Sequence, residues 1–119
     1  MTSQELRNRT KDFAIEIIRF IKSFDNSFEK LIIAKQLLRS ATSVASNYRA
    51  ACRGRSKAEY FAKLNIVVEE SDETQFWLEL LIDSELSNNQ ITRDLYNEAT
   101  ELLKIFSSSR KSFKENYKS

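Results

Sequence analysis

The stretch Ala50-Ala51-Cys52-Arg53-Gly54-Arg55-Ser56-Lys57-Ala58-Glu59 decides the fold. Before it, apolar residues recur in steps of three and four through Leu31, Ala34, Leu38, Ala41, Ala45, Tyr48 and Cys52, with Leu37 and Val44 alongside. That period predicts a helix over about 27–53. Gly54, the single glycine, supplies the left-handed residue that a helix C-terminus favours. Ser56 and Glu59 then have the spacing of a capping box, so the next helix begins near Lys57. Two long helices joined so tightly must pack antiparallel.

That next helix runs to about residue 85, roughly 40 Å at about 1.5 Å per residue. Phe61, Leu64, Val68, Leu78 and Ile82 form one face, and Ile66, Val67, Phe76, Trp77, Leu80 and Leu81 extend around it. A helix apolar on several faces is buried from several sides, and a second copy of the chain is the simplest extra partner. In the preceding helix, the small residues from Ser40 to Ser46 predict a close crossing, within the protomer or between protomers.

The flanking segments carry the same period. Leu6, Thr10, Phe13, Ile17, Phe20 and Phe24 predict a first helix over about 4–24. It stops at Asp25-Asn26-Ser27, where Asn26 and Glu29 have capping-box spacing. Thr92 is the expected cap of a fourth helix over about 92–113, with Ile91 stapled onto Tyr96 and a seam of Leu95, Ala99, Leu102, Phe106 and Phe113. Glu115 to Ser119 read as a frayed end. The expected fold is an all-α, antiparallel up-down-up-down four-helix bundle, one domain across 1–119.

Composition agrees. One core fits in 119 residues, and one glycine with no proline suits long helices better than sheets. No apolar run is long enough to span a bilayer, and Met1 to Lys11 lacks the apolar centre of a secretory signal. With Cys52 as the lone cysteine, the expected compartment is the cytoplasm and the expected role of Cys52 is packing. Histidine is absent, so no serine or cysteine has an imidazole to activate it and a Glu-x-x-His di-iron site is excluded. No catalytic residue, cofactor or metal is expected.

Net charge is +2, yet residues 1–60 carry twelve Lys/Arg against six Asp/Glu and residues 61–119 carry seven against eleven. Arg49, Arg53, Arg55 and Lys57 crowd one end of the central hairpin, and Arg110, Lys111, Lys114 and Lys118 close the chain. Such groups are either solvated helix-end charge or a patch for RNA or DNA phosphates. Tyr48 and Tyr60 nearby are core residues or platforms for unpaired bases.

Polar residues interrupt the apolar pattern at Asn47 and at Glu69, Glu70, Asp72 and Glu73. About the Gly54 turn, antiparallel partners have numbers summing to roughly 109, which sets Arg39 level with Glu70 and within a turn of Glu69 and Glu73. One reading is an internal polar network of Arg39, Asn47, Glu69, Glu70 and Glu73 that fixes helix register. The other takes Glu69-x-x-Asp72, Glu70-x-x-Glu73 and Glu98-x-x-Glu101 as divalent-metal ligands, in the manner of all-α nucleotide pyrophosphohydrolases.

The stretch from Gln36 to Ala51, with Lys57-Ala58-Glu59-Tyr60-Phe61 and Glu69 to Leu81, resembles the bacterial four-helix bundle proteins, also called ribosomal RNA intervening-sequence proteins. The resemblance covers nearly the whole chain. It implies an up-down bundle assembled as a ring-shaped homopentamer, with no established enzymatic activity. A similar protein, the accessory variability determinant of diversity-generating retroelements, is a basic pentameric bundle that binds nucleic acid and a reverse transcriptase. The resemblance therefore implies self-association, with RNA, DNA or a protein as further partner, and no membrane. The commoner branch has Asn-Ile-Ala-Glu-Gly where this chain has Asn47-Tyr48-Arg49-Ala50-Ala51, so no role of that glutamate carries over.

Overall fold

The computed structural model describes residues Met1–Asn116; Lys118 and the rest of the expected frayed tail, 117–119, lie outside the described residues. Four helices follow one another: α1 (Ser3–Lys22), α2 (Phe28–Cys52), α3 (Lys57–Asp83) and α4 (Gln90–Asn116). Each packs on the next in sequence and α4 returns to α1, so the described residues form one all-α, antiparallel four-helix domain about 50 Å long. The core runs along its axis through Ile17, Leu37, Leu64, Leu78, Leu81, Leu102 and Phe106, all fully buried.

Local chemistry sets the helix ends. Thr2 and Ser56 cap α1 and α3, their hydroxyls accepting the amides of Glu5 and Glu59 at 3.1 Å. The cap of α2 is Ser27 and not Asn26: its hydroxyl accepts the Lys30 amide at 3.3 Å while Asp25 accepts the Ser27 amide at 3.2 Å. Similarly, Asn89 accepts the Thr92 amide at 3.0 Å, so α4 starts before Thr92 and buries it. Ile91 is thereby turned outward, 60% exposed, and does not staple onto Tyr96. At the other end α4 stays helical through Glu115 and Asn116.

Gly54 also departs from expectation, because its φ is not positive. The reason for glycine is crowding: a Cβ there would stand 3.1 Å from the Ala51 carbonyl oxygen and 3.4 Å from Glu59 Cβ. The left-handed residue is Glu85, φ 63°, where the chain leaves α3 and the Ser87 amide reaches back to the Leu81 carbonyl at 3.1 Å.

The buried line of α2 is rotated relative to the sequence reading. Ile33, Ala34, Leu37, Ser40, Ala41, Val44, Tyr48 and Ala51 face the core, whereas Leu38, Ala45 and Cys52 are half-buried and Leu31 is exposed. The cause is the extensive packing of α2 on α3, which draws the contact line toward that neighbour. The close crossing lies here, within the protomer, where the Ser40 and Thr74 hydroxyls meet at 2.9 Å, both buried. α3 packs extensively on both α2 and α4, so its many apolar residues are mostly covered within one chain. Phe76, 51% exposed, is the only large apolar residue of α3 left in the open.

Candidate nucleic-acid interface

The antiparallel order puts the start of α1, the α2–α3 turn and the end of α4 at one end of the bundle. Cut at the helix midpoints, that half comprises residues 1–12, 40–69 and 104–116 and carries twelve Lys/Arg against five Asp/Glu. The other half, 13–39 and 70–103, carries six against twelve. The small net charge therefore conceals a molecule polarised along its axis, from about +7 to about −6.

Three of the four cations named at the central hairpin line two adjoining depressions that share Arg53. Arg49 on the last turn of α2 and Arg53 just past its end line a groove of about 670 Å³ between α1 and α2. Across it stand Arg7 and Lys11, one turn apart on α1, over a floor that includes Ala14, Ile18, Thr42 and Ala45. Arg55 lines a second depression at the α2–α3 turn with Arg53, Lys63 and Glu59, and Lys57 is exposed on the first turn of α3. Arg7 and Lys11 were missed because they are distant in sequence. Their signal is the α1–α2 register, which sets residues 4–11 opposite 42–49.

Among the described residues, no carboxylate pairs with Arg7, Lys11, Arg49, Arg53, Arg55 or Lys63. Among the described residues three cations are paired with carboxylates: Arg9, Lys30 and Arg39. Arg9 grips Glu98 through two bonds of 2.6 and 2.7 Å and closes α1 onto α4. The hydrogen bond to Glu98 raises the Arg9 pKa against the opposing effect of burial.

Tyr48 and Tyr60 are engaged in packing. Tyr48 is buried with its ring 5.1 Å from Phe106, and burial first, then a hydrogen bond with Cys52, pushes its phenol well above the usual range. Tyr60 lies against Phe113 at 5.3 Å, and burial again raises its pKa. Neither ring is presented as an open stacking platform.

The Arg39 cluster joins the helices expected of it but is not internal. Arg39 bonds Glu70 at 2.8 Å and also contacts Glu73, with its own side chain 49% exposed. Glu69 is exposed and takes no part, while Asn47 donates to the Ser43 carbonyl and hydroxyl on its own helix, both at 3.0 Å. The correction follows from α2's rotation: Ser40 occupies the inward position against α3, which leaves Arg39 on the outer rim. Glu70, Glu73 and Glu98 thus each hold an arginine, and among the described residues no three carboxylates gather as a metal would need.

The sequence profile of the family described as 23S rRNA-intervening sequence protein matches residues 2–108. The chain belongs to that family. Its fold also matches the crystal structure of a protein of unknown function from the S23 ribosomal protein family of Bacteroides thetaiotaomicron VPI-5482, with 34% identity and a TM-score of 0.83. The match covers 93% of this chain and 99% of that one. No curated protein matches the sequence. No helix among the described residues is long and apolar enough to cross a membrane.

Proposed function

We propose that this intervening-sequence family member is a non-enzymatic, homo-oligomeric binding protein that engages RNA or DNA through its cationic end. The observation that carries the reading is the set of cations there without carboxylate partners, on a molecule whose opposite half is acidic. Neutralising phosphates releases counterions, so affinity falls with salt and base discrimination is slight. Rotational symmetry, with five copies in a ring as the family resemblance implies, repeats the cationic end on a single face. Several weak contacts per protomer then act together.

The test is a fluorescence-anisotropy titration of single-stranded RNA and duplex DNA at several salt concentrations. Binding that weakens steeply with salt and is lost in Arg55→Glu/Lys63→Glu supports the reading. Absence of binding near about 50 mM salt overturns it and leaves a protein partner as the ligand. Turnover of nucleoside triphosphates with magnesium or manganese, abolished by Glu70→Gln and Glu73→Gln, would overturn the non-enzymatic part.

A further inference from the structure

The groove between α1 and α2 is more than a row of charges. Its α1 wall runs from Gln4 to Ile18, about 21 Å at about 1.5 Å per residue. Toward the α2–α3 turn both walls are cationic, with Arg7 and Lys11 facing Arg49 and Arg53, and among the described residues no carboxylate lines the groove. Gln4 accepts a hydrogen bond from Arg7 and itself donates to Asn8 at 3.1 Å, so the guanidinium is already held at the groove edge. Toward the middle of the bundle the lining turns apolar through Ala14, half-buried Ile15, Ala45 and Ile18, the last 43% exposed. Arg53 also lines the depression that holds Arg55 and Lys63, so the groove opens directly onto the cationic end. Charge and apolar surface in one trough select among polyanions. A duplex keeps its base faces stacked inside and offers phosphates, sugars and base edges. It is also too wide to sink between helices whose axes stand about 8–10 Å apart, so it touches the rim and leaves the floor wet. An unpaired strand can lay phosphates along the walls and turn its bases down onto the floor, because unstacked bases have free faces.

We propose that the α1–α2 groove is a site for an unpaired strand of nucleic acid and makes this protein prefer single strands to duplex. The inference rests on the polyanion binding proposed above and names its substrate class. Arg55 and Lys63, outside the groove, attract either form. To the single strand alone the groove adds phosphate contacts deep along the Arg7 and Lys11 wall and apolar cover from Ile15 and Ile18. Aliphatic floor residues make no directed hydrogen bonds, so the preference is for unpaired bases of any sequence.

The experiment is a set of anisotropy titrations on the full chain across a salt series. The probes are a labelled pyrimidine-rich strand, as RNA and as DNA, and the duplex each forms with its complement. Wild type should bind the strand more tightly than the duplex. Arg7→Gln/Lys11→Gln should weaken strand binding and reduce its log–log salt slope by about 1.4, two phosphate contacts at about 0.7 each. Ile18→Ser removes apolar cover and no charge, so it should cut the strand-over-duplex preference roughly threefold to tenfold with the salt slope unaltered. Light scattering coupled to gel filtration should give both variants the wild-type mass. No binding of either form overturns the polyanion reading itself. Four results overturn this site alone and leave Arg55 and Lys63 as the polyanion contact. They are equal wild-type affinity for strand and duplex, an unchanged preference in Ile18→Ser, an unchanged slope in Arg7→Gln/Lys11→Gln, and a changed mass in Ile18→Ser, which would mean that another copy covers the groove.

Discussion

Replacing Arg39 by alanine removes two interhelical ion pairs at once, and the structure fixes how much that should cost. Buried, the guanidinium would leave an unpaired carboxylate worth about 3–5 kcal/mol. Here Arg39 is 49% exposed and Glu73 is 32% exposed, so water re-solvates the carboxylates once the arginine is gone. The expected loss is about 1 kcal/mol, with Glu70, only 16% exposed, setting an upper edge near 2 kcal/mol. In a domain of this size about 1 kcal/mol lowers Tm by roughly 4 °C. Urea unfolding followed by circular dichroism, in a double-mutant cycle with Glu73→Gln, isolates the pairwise energy. That coupling should shrink in about 1 M salt. The hydrogen bond from Arg39, opposed by burial, holds Glu73 below its ordinary 4.5. A depressed carboxylate pKa contributes stability that is fully present above the unfolded value and disappears as pH falls through the folded one. Wild type should therefore lose more stability than Arg39→Ala on going below about pH 4.5, with no difference in slope above about pH 6. A loss above about 3 kcal/mol at neutral pH, insensitive to salt, would refute the rim placement.

Three further substitutions test the fold. Ser40→Leu forces a branched side chain into the fully buried α2–α3 crossing and should cost about 1–3 kcal/mol in chemical denaturation; a neutral result means the helices do not approach closely there. Phe106→Ala empties a fully buried ring site against Tyr48 and should cost about 3–5 kcal/mol, and a loss under about 1 kcal/mol would contradict the packing. Gly54→Ala should stay within about 1 kcal/mol, since φ is not positive and only a 3.1 Å contact must relax; a loss beyond about 2 kcal/mol would mean that the Ala51 carbonyl cannot give way.

The bundle was legible in the sequence because the four apolar seams and the short Gly54–Ser56 turn are local signals that agree with one another. Less legible was anything set by the unequal packing of neighbours. Seen alone, α2 gave the seam Leu31–Leu38–Ala45, yet its extensive contact with α3 brings Leu37, Ser40 and Val44 inward and moves Arg39 to the rim. The excess apolar residues of α3 read as an intersubunit face, whereas α2 and α4 together cover most of them. Caps slipped by one to three residues where several short polar side chains compete, as at Asn26 and Ser27. The cationic site was legible only on its α2 side. Arg7 and Lys11 join it through the α1–α2 register, and the axial polarity emerges only once four helices are laid antiparallel.

The central claim, that one end of the bundle carries the polyanion site, is tested most directly by reversing charge at each end separately. Arg55→Glu/Lys63→Glu alters the cationic end, and Arg19→Glu/Lys22→Glu makes the same net change at the acidic end. Each is titrated with single-stranded RNA and duplex DNA at about 50 and about 200 mM salt. Loss of binding in the first variant alone, with wild-type affinity retained in the second, is the result the account predicts; equal losses in both, or no wild-type binding at the lower salt, would contradict it.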